Sequence, residues 1–403
     1  MLSHLLSARG ARPSDDPIFA LNAEATARRV AGEAIVNATV GTLLDDAGDL
    51  AVLPTAAQAI RNVPMAEWAA YAPIAGPPAF LAAAIHDMLA PSPELEACAV
   101  AVATTGGTGA LRHTIANYSE VGQAILTSGF FWAPYQTIAD EAERRVETFR
   151  MFAADGSFDV AALDAALELQ LRTQKRALIF INDPCHNPTG YSLRENEWRA
   201  IAACLERHAD RGGVVTLLLD FAYSAYFRGD SRAPLRCLAP IAGKVQLLFA
   251  WSASKTFTHY GLRVGALIAC VPDPKMRSAT AAALSYSCRG TWSNCNRGGL
   301  YAITQLLVDP SLARACNEER AVFKELLDAR VAAFNRDATK RQLSYPRYDG
   351  GFFVTVFHRD AMAKAELMRR DGVYVVPAKD ALRVAMCSVA ERDVARLVNA
   401  LAE

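Results

Sequence analysis

The chain has 403 residues, 52% hydrophobic and 21% charged, which is enough for a large buried core and suits two domains better than one. Lysine plus arginine equals aspartate plus glutamate, at 42 each, so the basic excess of a nucleic-acid binder is missing and any steering of a ligand must come from local charge. Nine scattered cysteines with no CxxC pair read as reduced thiols of a cytoplasmic protein, and no apolar run approaches a membrane span. The opening MLSHLLSARGARPSDD lacks the long apolar core of a signal peptide.

In chain order, the break Pro73 to Pro78 is expected to precede a large domain. Short apolar runs then alternate with amphipathic stretches, the pattern of an α/β domain with a mostly parallel sheet. Buried strands are expected at 97–103, 124–127, 177–181, 214–219, 245–250 and 265–270, and helices at 109–119, 135–143, 160–171 and 194–209. Asp273-Pro274 opens a long helical stretch. Beyond about residue 300 the pattern changes to long helices, 310–335, and a short sheet around 351–357 and 382–386. The expected division is an N-terminal segment 1–65 packing with a small α+β domain 301–403, and a large domain 66–300.

Polar residues follow several of these runs. Thr104–Gly109 follows the first, Asn187 the third, Asp220 ends the fourth, and Ser252–Lys255 follows the fifth. Ligands of open α/β sheets bind at the carboxyl ends of strands, so one cleft could collect all of these groups. The glycine-rich stretch opening a helix suits an anion, although such a loop is often only a turn. Asp220 could ligate a metal, cap a helix or pair with a cationic ring nitrogen. A lysine at the end of a buried strand is either a surface lysine or a desolvated amine, nucleophilic toward aldehydes. With two serines and Arg263 beside it to suit a phosphate, the set describes a pyridoxal-5′-phosphate (PLP) site. The histidines at 86, 113, 186, 208, 259 and 358 show no ligand spacing, and no metal is assigned.

The segments DPCHNPTGYS, Asp220-Phe221-Ala222-Tyr223 and SASK with Arg263 eight residues after Lys255 resemble the signature of class I aminotransferases. GGTGALR at 106–112, Tyr71 to Gly76 and Arg383 to Cys387 are similar to the phosphate loop, the YxPIxG segment and the carboxylate-binding strand of the aspartate and aromatic branch. The resemblance spans about residues 35–400 and implies PLP-dependent transferase fold type I. It implies that Lys255 holds the cofactor covalently and shuttles a proton, that Asp220 pairs with the ring nitrogen, and that Tyr223 and Asn187 bond the phenolic oxygen. Trp132 would stack on the ring, unless it is plain core. Gly107, Thr108, Ser252 and Arg263 would hold the phosphate, joined by Tyr71 from a second subunit of a homodimer. Arg383, with Asn187 and the backbone near Gly41, would grip the substrate α-carboxylate.

Two departures stand out. WAPY follows where a histidine would be expected a few residues after the tryptophan, and Cys295-Asn296 replaces prolines after Arg289-Gly-Thr-Trp-Ser-Asn. Arg289 could read a distal carboxylate or be a bland surface arginine. The expected activity is transfer of an amino group from an amino acid, acidic or aromatic, to a 2-oxo acid. The alternatives are a lyase, a decarboxylase or a carbon–carbon bond-forming enzyme on the same scaffold. A regulator would need a DNA-binding segment, and the first ~35 residues are expected to be too short for one with its linker.

Overall fold

The computed structural model describes residues 4–10, 12 and 17–403, so the segment read for a signal peptide lies partly outside the described residues. Two compact units emerge. One comprises Ala51–Asp328 with Pro346–Gly351. The other comprises Ala329–Tyr345, Phe352–Glu403 and the described residues up to Leu50.

The larger unit is built on a seven-stranded sheet. From edge to edge its strands are Ala99–Thr105, Val264–Cys270, Gln246–Ser252, Val214–Asp220, Arg176–Asn182, Ala124–Ser128 and Arg145–Phe149. Val264–Cys270 runs antiparallel to both neighbours, and the other pairings are parallel. The near-continuous apolar runs arise because both faces are covered. With a side-chain period of two, Ile179, Ile181, Leu217, Leu219, Leu247 and Phe249 pack into one cluster. Leu178, Phe180, Leu218, Leu248 and Ala250 pack into another on the opposite face.

Register places the chemistry. Asn182 lies opposite Asp220, Asp220 opposite Ala250, and Ser252 opposite Gly265. A row of strand ends is thereby fixed by backbone hydrogen bonds rather than by loops.

The structure differs from the sequence expectation at three points. The edge strand Arg145–Phe149 reads RVETF, and its charged, partly exposed positions hide the apolar signal. The helix expected from Gly109 begins at Gly106, so the glycine-rich stretch is its first turn. The larger unit begins at Ala51 rather than residue 66 and extends to Asp328 rather than residue 300. Long-range bonds explain this: the Leu53 amide donates to Thr258 Oγ1 at 2.9 Å, and Thr55 Oγ1 donates to Glu319 at 2.6 Å.

The smaller unit holds an antiparallel sheet of Val376–Ala378, Ala381–Ala385 and Phe353–Phe357, in which Arg383 lies opposite Val376 and Thr355. Val36–Asn37 pairs in parallel with Val373–Tyr374. Among the described residues no helix is long and apolar enough to cross a membrane.

Candidate active site

Asp220 ends its strand with 7% of its surface exposed. Its Oδ2 accepts from the Tyr135 hydroxyl at 2.7 Å and its Oδ1 from the Ala222 amide at 3.3 Å. Burial pushes the carboxyl up to about 6, and the two donors only partly offset this. Both donors are neutral, so the carboxylate is poised for a cationic partner.

Tyr223 lies three residues on, and its hydroxyl accepts from Asn187 Nδ2 at 3.2 Å. Asn187 sits in a loop tied down at both ends. Its amide donates to Asn182 Oδ1 at 2.7 Å, while Asp183 accepts from the Leu193 amide at 2.7 Å and from Trp198 Nε1 at 3.0 Å. Among the described residues, Asn187 Oδ1 is buried without a hydrogen-bond partner. A buried acceptor of this kind is costly unless a ligand or water meets it.

Lys255 lies one turn after Ser252, in the short helix Ala253–Thr256. Its Nζ stands 4.5 Å from the centroid of Tyr260 and 5.7 Å from that of Tyr223, so the amine lies beside the Asn187–Tyr223 pair. Ser252 Oγ accepts from the Ser254 amide at 3.2 Å.

Arg263 follows in the left-handed region, φ 56°. Its guanidinium donates to Ser254 Oγ at 3.1 Å, the Tyr260 carbonyl at 2.8 Å and the Thr105 carbonyl at 3.3 Å. It therefore stands at the start of the helix Gly106–Tyr118, which no side chain caps. A Cβ on Gly106, where φ is +70°, would come within 2.4 Å of Arg263 Nη2, and one on Gly265 within 2.5 Å of the Gly106 carbonyl carbon. Glycine at both positions lets guanidinium, strand and helix start converge. Gly107 and Thr108 lie in that helix's first turn, and together with Ser252, Ser254 and Arg263 the arrangement suits an anion.

These groups fit PLP feature by feature: a buried carboxylate for a basic ring nitrogen, the Tyr223 hydroxyl, which accepts from Asn187, as a donor for a phenolic oxygen, an amine for an aldehyde, and a helix start beside a guanidinium for a phosphate. Trp132 meets Tyr135 edge-on at 5.9 Å. Tyr71 is 86% exposed, and its side chain is not gathered into this set. Arg289, also exposed, ends the helix Pro274–Thr291 and donates to Ser293 Oγ at 2.6 Å.

In the smaller unit, Arg383 is buried with its guanidinium 4.9 Å from the Phe353 ring centroid and donates to the Thr39 carbonyl. A Cβ on Gly41 would stand 2.4 Å from Phe353 Cζ. Thr39, Gly41, Phe353 and Arg383 therefore form one packed group.

Sequence reasoning assigned no role to Tyr135 or Tyr260. The available signal for Tyr135 was a polar aromatic three residues after Trp132, one helical turn away. Among the described residues, Asp164, Cys204 and His208 are close enough to share a metal ion. They satisfy one another instead: His208 Nε2 is 2.6 Å from Asp164 Oδ1, and Arg207 pairs with the other oxygen at 2.8 Å.

Residues 33–401 match the family described as aminotransferase class I and II. The chain belongs to that family. An aromatic-amino-acid aminotransferase of Pseudomonas aeruginosa is 31% identical over 229 residues, 56% of this chain and 55% of the relative. The chain thus aligns with little more than half of that relative's length. An aspartate aminotransferase of the same organism is 26% identical across 84% of this chain and 85% of its own. Among solved structures, an aminotransferase from Anaerococcus prevotii superposes with a TM-score of 0.93 at 29% identity, over 100% of this chain and 99% of its own. An aromatic-amino-acid aminotransferase from Burkholderia pseudomallei, covalently bound to pyridoxal phosphate, shares the fold at TM-score 0.82 and 22% identity, covering 99% of each chain.

Proposed function

We propose that this class I and II family member is a PLP-dependent aminotransferase that moves an amino group from an aspartate, glutamate or aromatic donor to a 2-oxo acid. The observation that carries this reading is the convergence of an amine, a buried carboxylate and a helix start beside a guanidinium on neighbouring strand ends. When bound, PLP supplies an aldehyde that takes up the amine and a ring that accepts electrons from the substrate Cα.

The chain's own residues do the rest. Lys255 Nζ anchors the cofactor and then carries the proton between carbons. Asp220 holds a proton on the ring nitrogen. Asn187 and Tyr223 orient the phenolic oxygen, and Trp132 covers the ring face. Gly107, Thr108, Ser252 and Arg263 grip the phosphate. Arg383, with the backbone at Gly41, receives the α-carboxylate.

A homodimer belongs to the proposal. Tyr71, Met65 and Tyr286 are each more than three-quarters exposed, an arrangement that suits burial against a second copy, with Tyr71 reaching the phosphate and Arg289 the substrate across the boundary. A cytoplasmic setting is proposed with it, and agrees with nine cysteines that form no disulfide.

The test is a half-reaction with donor alone. The bound cofactor should convert to its amine form with release of one 2-oxo acid per site. Release of ammonia, carbon dioxide or a thiol without that conversion would contradict the reading.

A further inference from the structure

We infer that Tyr135 is a positioning residue for Asp220, fixing the carboxylate toward the cofactor ring as a neutral donor that adds no competing charge. The inference rests on the assignment of Asp220 to the ring nitrogen.

Tyr135 is 1% exposed, and its hydroxyl has a buried 2.7 Å bond to Asp220 Oδ2. Its ring is held edge-on to Phe180 at 5.2 Å and to Trp132 at 5.9 Å, and stacked on Phe131 at 6.3 Å. The phenol therefore has little freedom to turn elsewhere. Its backbone amide donates to the Trp132 carbonyl at 2.9 Å. One turn of chain thus presents both the side chain proposed to cover the ring face and the donor that aims the carboxylate at its nitrogen.

The chemistry of the donor matters. A guanidinium or imidazolium at this position would neutralise Asp220 and compete with the ring nitrogen for it. A phenol stabilises the anion by one hydrogen bond and leaves its full charge available. Burial and the neighbouring carboxylate push the phenol well above its ordinary value, so it stays protonated and keeps donating.

Tyr135→Phe keeps the ring and its packing and removes only the hydroxyl. Two readouts other than turnover follow its effect: PLP affinity of the cofactor-free protein, and the pH midpoint of the bound cofactor's visible absorbance. Affinity should fall about 10-fold, the scale of one hydrogen bond to a charged group. The midpoint should rise, because a less firmly protonated ring withdraws fewer electrons and leaves the Lys255 nitrogen more basic. In an Asp220→Asn background, Tyr135→Phe should change neither readout further, since Tyr135 acts through that carboxylate.

An unchanged midpoint and affinity in Tyr135→Phe would overturn the inference, as would an equal loss in the Asp220→Asn background. If instead Asp220→Asn alone left both readouts at wild-type values, the assignment of Asp220 to the ring would fail, and the two failures are distinct.

Discussion

The strand ends of the larger unit and the end of its helix Pro274–Thr291 both present charged residues, but they are held in opposite ways. Asp220 is buried, fixed by register to its neighbours and bonded by two donors. Arg289 is exposed on the last turn of its helix and bonded to Ser293 four residues away. A group held by a sheet is in place within one chain. A group at a helix end has its purpose set by whatever later covers it. The contrast separates the groups proposed to bind the cofactor from the one proposed to select the substrate.

The largest effect should come from the sheet side. Lys255→Ala should lower turnover by at least about a thousandfold, the scale expected on losing a nucleophile and proton carrier together, while leaving PLP bound non-covalently. Steady-state rates and dialysis of the cofactor check this. Near-normal turnover would end the claim that the strand-end set is catalytic.

The helix side is tested by Arg289, with Arg383 of the smaller unit's sheet as the control. Arg289→Leu should lower kcat/KM for aspartate and glutamate about a hundredfold and spare aromatic donors, since a closed site makes an unpaired charge costly. Arg383→Leu should lower kcat/KM for every amino acid, because all carry an α-carboxylate. An equal loss of acidic and aromatic donors in Arg289→Leu would leave Arg289 with no selecting role.

A smaller effect sharpens the burial of Asp220. Its carboxyl sits at about 6, raised by burial from the ordinary ~3.9 of an unfolded chain. A group raised on folding contributes its stability below the unfolded value and loses it as pH rises through the folded value. In the cofactor-free protein that contribution should fall between about pH 4 and about pH 6. Asp220→Asn should therefore gain about 2 kcal/mol relative to wild type over that window, below the roughly 3 kcal/mol ceiling a two-unit shift sets. Denaturant titrations of both proteins at the two pH values measure it, and a constant difference would contradict the buried, cation-free carboxylate.

The same contrast explains what was legible in the sequence. The runs ending in Asp220 and Ser252 are apolar and buried on both faces, so their ends, and the residues just beyond them, could be read from pattern alone. Strand Arg145–Phe149 escaped because its charged positions face solvent. The Tyr135–Asp220 bond joins residues 85 apart, and no local pattern reports such a pairing. The replaced prolines have a local reason: Asn296 caps the helix Arg297–Val308 by accepting from the Gly299 amide at 3.1 Å. Trp292, beside them, stacks on buried His113 at 4.2 Å, a tertiary contact that its loop sequence does not announce.

Lys255 is the residue proposed to hold PLP. Borohydride reduction of the purified holoprotein, followed by peptide mapping, tests it most directly. A phosphopyridoxyl group should be found on Lys255, in the peptide carrying Ser252-Ala253-Ser254. The same group on any other lysine, or none at all, would contradict it.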